Sequence, residues 1–371
     1  MTEPEHSGKQ RTRRIDAVRH LLRPHYVRDI FTLGSQPSLR NSALAGLQAA
    51  ITVAIALPLI HISPWAHLIG FASLGALVAL FGRFASAQSR KRIVFFCGLC
   101  QTLAVLIMSS AVWAGVPVAI LLVLLALSCG IFFFITVSAG FGAPGALIFV
   151  FAVGASMGDV ASFEAVLERT AATAIVAALA WVVCAATDGF REYATPEGPF
   201  PAEPVRPLDQ RLIAVLRITV GAAVAVFSSY ALGANHPAWA AMGALAVMQG
   251  AHLHINMNRA LQRMAGTVIG ALMAWVILNQ DPSVWTIIAV LIVFQFATEL
   301  IIGMNYSLGQ VLVTPMALMM THLGTPDAMG SQLAFERVFD TLLGASIGIA
   351  ISVLLSSIED RHDLLHPPGR R

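Results

Sequence analysis

Nearly uncharged apolar runs follow one another along this chain, separated by short polar breaks. One set covers about 43–60, 64–82, 92–113, 116–137, 141–157 and 166–187; a second covers about 212–232, 237–251, 260–279, 284–302, 306–321 and 338–357. Most approach the roughly 20 residues that a helix needs to cross a hydrocarbon layer about 30 Å thick. Within such a layer a single span has to be helical, so that each backbone polar group is satisfied inside it. The pattern therefore predicts an all-α polytopic membrane protein with about twelve transmembrane helices. The shorter runs near 141, 237 and 306 also suit half-helices or re-entrant segments.

Composition agrees with lipid as the main solvent. Only 12% of the 371 residues are charged and 57% are hydrophobic, where a soluble domain carries about 25% charge. The charges that remain set an expected orientation. With the N-terminus inside, the cytoplasmic segments are 1–42, 83–91, 138–141, 188–211, 252–263, 303–305 and the residues after 357. Counting Arg92, they hold 20 of the 23 Lys and Arg residues and leave Arg169, Arg217 and Arg337. The opposite loops carry Asp159, Glu164, Asp281, Asp327 and Glu336. Lys and Arg accumulate on the cytoplasmic side of membrane proteins, so both termini are expected there.

These boundaries divide the chain into a basic segment 1–42, a membrane repeat 43–187, a linker 188–211, a second repeat 212–357 and a tail 358–371. The part from Ile15 to Leu33 suits either an interfacial helix on anionic lipid or a plain basic tail. The linker, with Pro196, Pro199, Pro201, Pro204 and Pro207, reads as extended. The two halves also echo each other. Pro64-Trp65 and Gly70 match Pro237, Trp239 and Gly243 at an offset of 173 or 174; Arg90 matches Arg263 at 173, Gly98 matches Gly270 at 172, and Phe163-Glu164 matches Phe335-Glu336 at 172. Six spans per half, an even number, predict two parallel six-helix repeats about an axis along the membrane normal.

Candidate chemistry concentrates between His252 and Ala274. Arg259 and Arg263 share a helix face, and that face continues through Gly266, Gly270 and Ala274, a seam of small residues that lets another helix approach closely. Arg263, backed by Arg259, can offer a guanidinium fork to a carboxylate at the cytoplasmic mouth; the plainer reading is two anchors on lipid phosphate. Arg90 is the first-half version of the same feature. Asn256, Gln249 and Thr267 supply polar lining groups. Trp239, like Trp65, is an interfacial anchor or a platform for an aromatic ring.

Glu299, one turn after Gln295, lies inside an apolar run, where an ionisable group is by default a functional hypothesis. It suits an ion pair with Arg263 or Arg259, proton coupling, or a pore-lining role without titration. Pro315 after Thr314 breaks the helical ladder of its span and marks a packing kink or a site. Cys97 and Cys100 form a C-x-x-C with no histidine or second cysteine pair nearby, which reads as packing, as do Cys129 and Cys184. No nucleotide, metalloprotease or nucleophile-elbow motif is present, so neither an enzyme nor a cofactor is expected. The pI near 8.8 is accounted for by the membrane-facing arginines, without nucleic acid.

The pattern R-x-x-x-R-x-x-G-T-x-x-G at Arg259, Arg263, Gly266, Thr267 and Gly270 resembles the signature of the fusaric acid resistance family, also grouped as aromatic acid exporters. The P-x-W at Pro237 to Trp239 and the E-R-x-x-D-T-x-x-G at Glu336 to Gly344 are similar to its flanking features. The resemblance is best over 210–355 and weaker over 40–188. It implies a bacterial inner-membrane protein that exports aromatic carboxylic acids. Many members carry a cytoplasmic domain between their membrane halves, a position held here by the short linker. Plant aluminium-activated anion channels look like distant relatives. The expected function is a secondary exporter of small organic anions, aromatic carboxylic acids foremost, either proton-linked or driven by another gradient; the alternatives are a gated anion channel and a scaffold of the envelope without transport. Expected partners are the anion, protons, anionic lipid, and either further copies of the chain or a periplasmic adaptor.

Overall fold

A computed structural model describes residues 34, 36–193, 200, 205–250, 253–324 and 330–355. The expected interfacial segment 15–33, His252, much of the linker and the tail 358–371 lie outside the described residues. Six α-helices precede the linker: α1 (Leu39–His61), α2 (Ile69–Ala76), α3 (Ala87–Trp113), α4 (Val118–Ser138), α5 (Leu147–Ala155) and α6 (Phe163–Ala186). Six follow it: α7 (Leu208–Ala231), α8 (Ala238–Met248), α9 (Leu253–Leu278), α10 (Val284–Ile301), α11 (Tyr306–Gly324) and α12 (Gly330–Leu354). Serine hydroxyls of Ser38, Ser86, Ser162 and Ser283 accept from the backbone N–H three residues on and so start α1, α3, α6 and α10.

The helices differ from twelve equal spans. Eight are long and apolar enough to cross a membrane: α1, α3, α4, α6, α7, α9, α10 and α12. By contrast α2, α5 and α8 have 8, 9 and 11 residues, a rise of about 12 to 17 Å at about 1.5 Å per residue. Every residue of α8 is buried. A helix that is apolar all round belongs inside protein, and these short helices sit within the bundle while longer ones surround them. α9 and α12 each begin about two turns earlier than the hydropathy suggests, which places several polar residues inside helices.

Helix packing exchanges elements between the halves. Within each half, α6 lies on α2 and α3, and α12 lies on α8 and α9. Across the halves α1 packs on α10 and α7 on α4, while α2 meets α11 and α8 meets α5. Glycines permit these crossings. A Cβ on Gly46 of α1 would stand 3.0 Å from the Phe296 carbonyl of α10, and one on Gly130 of α4 would stand 3.2 Å from the Val215 carbonyl of α7. Gly70 abuts Gly324, and Gly154 abuts Ala238.

Contacts recur at an offset of 168, or 169 for one histidine, about a turn shorter than the motif spacing suggests. Gly75 meets Thr173 and Ala177; Gly243 meets Thr341 and Ala345. His67 reaches Glu168 at 3.4 Å and His236 reaches Glu336 at 3.0 Å. Arg169 lies over Phe71, and Arg337 over Trp239. Glu168, not Glu164, is thus the counterpart of Glu336, and Phe71, not Trp65, that of Trp239. Cys184, whose sulfur Arg90 reaches at 3.8 Å, corresponds to Ser352, whose hydroxyl Asn256 reaches at 3.4 Å, and Arg90 itself corresponds at that offset to Asn258 and not to Arg263. Interhelical packing keeps a register that the motif spacing missed.

One end of the bundle gathers the arginine-rich segments. Gly34 donates to the Met304 carbonyl at 2.8 Å and Gln36 to that of Leu300 at 2.5 Å. Asn41 and Glu192 exchange two hydrogen bonds of 2.9 Å. Arg191 donates to the carbonyls of Gly82, Arg83 and Ala85, and Arg211 to Ser138. At the opposite end Arg169 holds the carbonyls of Gly158 and Asp159, and His61 packs edge-on against Trp285.

Candidate functional site

The early start of α9 carries Arg263 into the bundle. It is the eleventh residue of that helix, about 15 Å along its axis, so it is not at a mouth. Its side chain is 2% exposed; Nη1 donates to the Tyr306 hydroxyl at 3.3 Å, while Nε and Nη2 have no hydrogen-bond partner. Arg259, one turn towards the basic end, is half-buried. Gly266 and Gly270 bring α9 against α11: a Cβ on Gly266 would stand 2.5 Å from the Ser307 carbonyl, and one on Gly270 2.7 Å from the Val311 carbonyl and 3.1 Å from Cδ of Pro315. Ala274, further along the seam, is fully buried. The helix that the small-residue face accommodates is therefore α11, which carries Pro315 within it.

α12 supplies a second arginine from the other direction. Arg337 is 1% exposed, its Nε and Nη1 lack partners, and its guanidinium stands 5.3 Å from the ring centre of Trp239. Its charged neighbours are Arg263 and Asp340. Trp239 is buried and stacked on His236 with ring centres 4.5 Å apart, unlike the exposed Trp65. Thr267, Ser307, Thr314 and Thr341 have buried hydroxyls without partners, as does the side-chain carbonyl of Gln310. Asp340 accepts from Ser229 on one oxygen only. Buried polar groups are ordinarily paired, so this concentration on α9, α11 and α12 marks a polar centre suited to water or a ligand.

Other expected site residues lie elsewhere. Glu299 pairs at 2.7 Å with Arg83 of the α2–α3 connection, both almost fully buried, rather than with Arg263 or Arg259. Gln295 is buried one turn away with neither amide atom bonded. Arg90 donates to Gln48, which in turn bonds Thr187, so that it serves the first half. Gln249 ends α8 against Gly145, and Asn256 meets Ser352. Arg337, Asp340, Tyr306, Gln310 and Arg83 were not singled out from the sequence as site residues. Arg337 could have been, as one of the three cations outside the basic segments; Asp340 was hidden because its span was expected to start only at 338. Among the described residues no group of three or more His, Cys, Asp or Glu is placed to hold a metal ion.

Every residue of this centre falls in one stretch of the chain. Residues 223–351 match the family described as fusaric acid resistance protein-like. The fusaric acid resistance-like stretch opens in α7, closes in α12 and contains Trp239, Arg263, Tyr306, Arg337 and Asp340. The chain is also 31% identical over 144 residues to an uncharacterized membrane protein, YvaC, of Bacillus subtilis (strain 168). That similarity takes in 39% of this chain and 23% of the relative. No solved structure matches. The long apolar helices and these similarities make it a multi-pass membrane protein with a fusaric acid resistance-like second half.

Proposed function

We propose that the chain is a secondary exporter of small organic anions, aromatic carboxylates foremost, in a bacterial inner membrane. The observation that carries the reading is the pair of arginines, Arg263 and Arg337, both buried and neither forming a salt bridge with a carboxylate among the described residues. An unpaired cation in a low-dielectric interior is costly, and a guanidinium fork suits a planar carboxylate. Tyr306 gives the aromatic part of such a ligand a surface to lie on, Trp239 backs the Arg337 guanidinium, and Thr267, Gln310 and Thr314 add hydrogen bonds. Arg259, Asn256 and Gln249 line the approach from the basic end, which is the cytoplasmic side with both termini; the recurrence of contacts at 168 supports two parallel repeats. Arg90 holds the first half together, and Glu299 fastens the halves through Arg83.

The test is efflux from proteoliposomes loaded with aromatic and aliphatic carboxylates. Replacing either arginine, as Arg263→Ala or Arg337→Ala, should slow saturable efflux at least about tenfold, since a charge-assisted hydrogen bond contributes about 1.5–3 kcal/mol. Efflux indifferent to both changes would remove the site. Unsaturable flux at equal rates in both directions would favour a gated anion channel, and no flux of any anion a scaffold.

A further inference from the structure

Asp340 lies one turn beyond Arg337 on α12 and is wholly buried. Its Oδ1 accepts from Ser229 of α7 at 2.7 Å, and its Oδ2 has no hydrogen-bond partner. The charged groups around it are Glu336 and Arg337 on its own helix and His236 ahead of α8, with Arg263 of α9 facing Arg337. Glu336 is occupied by His236, taking its backbone N–H at 2.6 Å and its ring nitrogen at 3.0 Å. The charge of the polar centre is therefore set by Asp340. Ionised, it offsets one of the two arginines; protonated, it leaves both uncompensated and gains an O–H donor on the side that now has no partner.

We propose that Asp340 is the proton-carrying partner of the anion site, so that binding of a carboxylate beside Arg263 and Arg337 and protonation of Asp340 promote each other. The inference rests on the site proposed above. An incoming carboxylate and an ionised Asp340 would compete for the Arg337 guanidinium and repel each other. A proton from solvent, bonded to Oδ2, removes the repulsion and forms a donor towards the anion; no other bond is made or broken. Linkage makes the effect reciprocal. Its sign is that of a proton and an anion moving together, opposite to exchange of one for the other, so the anion's own outward gradient and not an inward proton gradient drives export. Glu299 is not suited to this role, because its carboxylate already holds Arg83.

The experiment is calorimetric titration of the purified full chain in lipid nanodiscs with benzoate, in two buffers of different ionisation enthalpy. Between about pH 5 and about pH 8 the wild type should take up as much as one proton per benzoate, with affinity falling by up to about tenfold per pH unit where Asp340 is ionised. Asp340→Asn should bind benzoate without proton uptake and with an affinity flat in pH, while His236→Gln should retain the uptake. Should Asp340→Asn fail to fold, Ser229→Ala, which removes the bond to Oδ1, should move the uptake to higher pH. Proton release on binding, no uptake by the wild type, or uptake undiminished in Asp340→Asn overturns this assignment alone; an unmoved profile in Ser229→Ala does the same. Absence of benzoate binding by the wild type overturns the anion site as well.

Discussion

Glu299 stood out as a charged residue inside an apolar run and Arg263 as a cation at a mouth, and both are deeply buried. The depth of Glu299 was legible in the sequence; the depth of Arg263 and the partners of both were not. Hydropathy reports how far a residue lies from the ends of its span but not which helix faces it, and Arg83, the partner of Glu299, belongs to the other half of the chain. The pair gives a direct test. Removing one member of a buried ion pair costs about 3–5 kcal/mol because the other charge is stranded, whereas removing both costs far less. Arg83→Ala and Glu299→Ala should therefore each lower the thermal midpoint in detergent strongly, and the double variant should recover much of the loss. A cycle with Arg263→Ala in place of Arg83→Ala should be close to additive. At the anion site, Arg263→Lys should bind benzoate nearly as poorly as Arg263→Ala, since a lysine cannot present the planar fork; titration of the three proteins decides it.

At the scale of elements, all twelve helices were visible as apolar runs, because lipid and the protein interior demand the same side chains. That equivalence also explains what was not visible. A short helix buried in protein, such as α8, reads like a short membrane span. Polar first turns hid the true starts of α9 and α12, and with them the depth of Arg263 and Asp340. The small-residue seam was legible as a motif, but its partner, α11, was not. Gly270 has no room for a side chain: a Cβ there meets the Val311 carbonyl at 2.7 Å. Gly270→Leu should force α9 away from α11, with a cost above the ~1–3 kcal/mol typical of overpacking, seen as loss of the monodisperse protein on gel filtration. Gly98→Ala, whose nearest neighbour is the Ala177 methyl at 3.4 Å, should be tolerated in the same assay.

Across the whole molecule, the charge rule and the contacts point the same way. The segments expected on the cytoplasmic side bond to one another at one end of the bundle, through Gln36, Asn41, Arg83, Arg191 and Arg211. Gly189, just beyond α6 at that end, is exposed, and a Cβ there meets nothing within 4 Å. In a background freed of the native cysteines, single cysteines introduced as Gly189→Cys and Asp281→Cys should react with a membrane-impermeant maleimide from opposite sides of the membrane, the first only in inside-out vesicles. The same sidedness for both would break the orientation.

The packing of α1 on α10 has a consequence for how such a chain is made. At roughly 5–20 residues per second of synthesis, α1 emerges some 10 to 50 s before the helix it leans against. During that interval the residues Gly46 and Ala49 along its inner face have only lipid or a transient substitute to cover them. The first half thus waits as an unfinished surface in the bilayer, and the second half, arriving later, closes it while receiving α7 onto α4 in return. Cutting the gene within the linker should yield two pieces that accumulate when made together in one cell and are degraded when made apart. Stable accumulation of the first piece alone would mean that its exposed face has another cover.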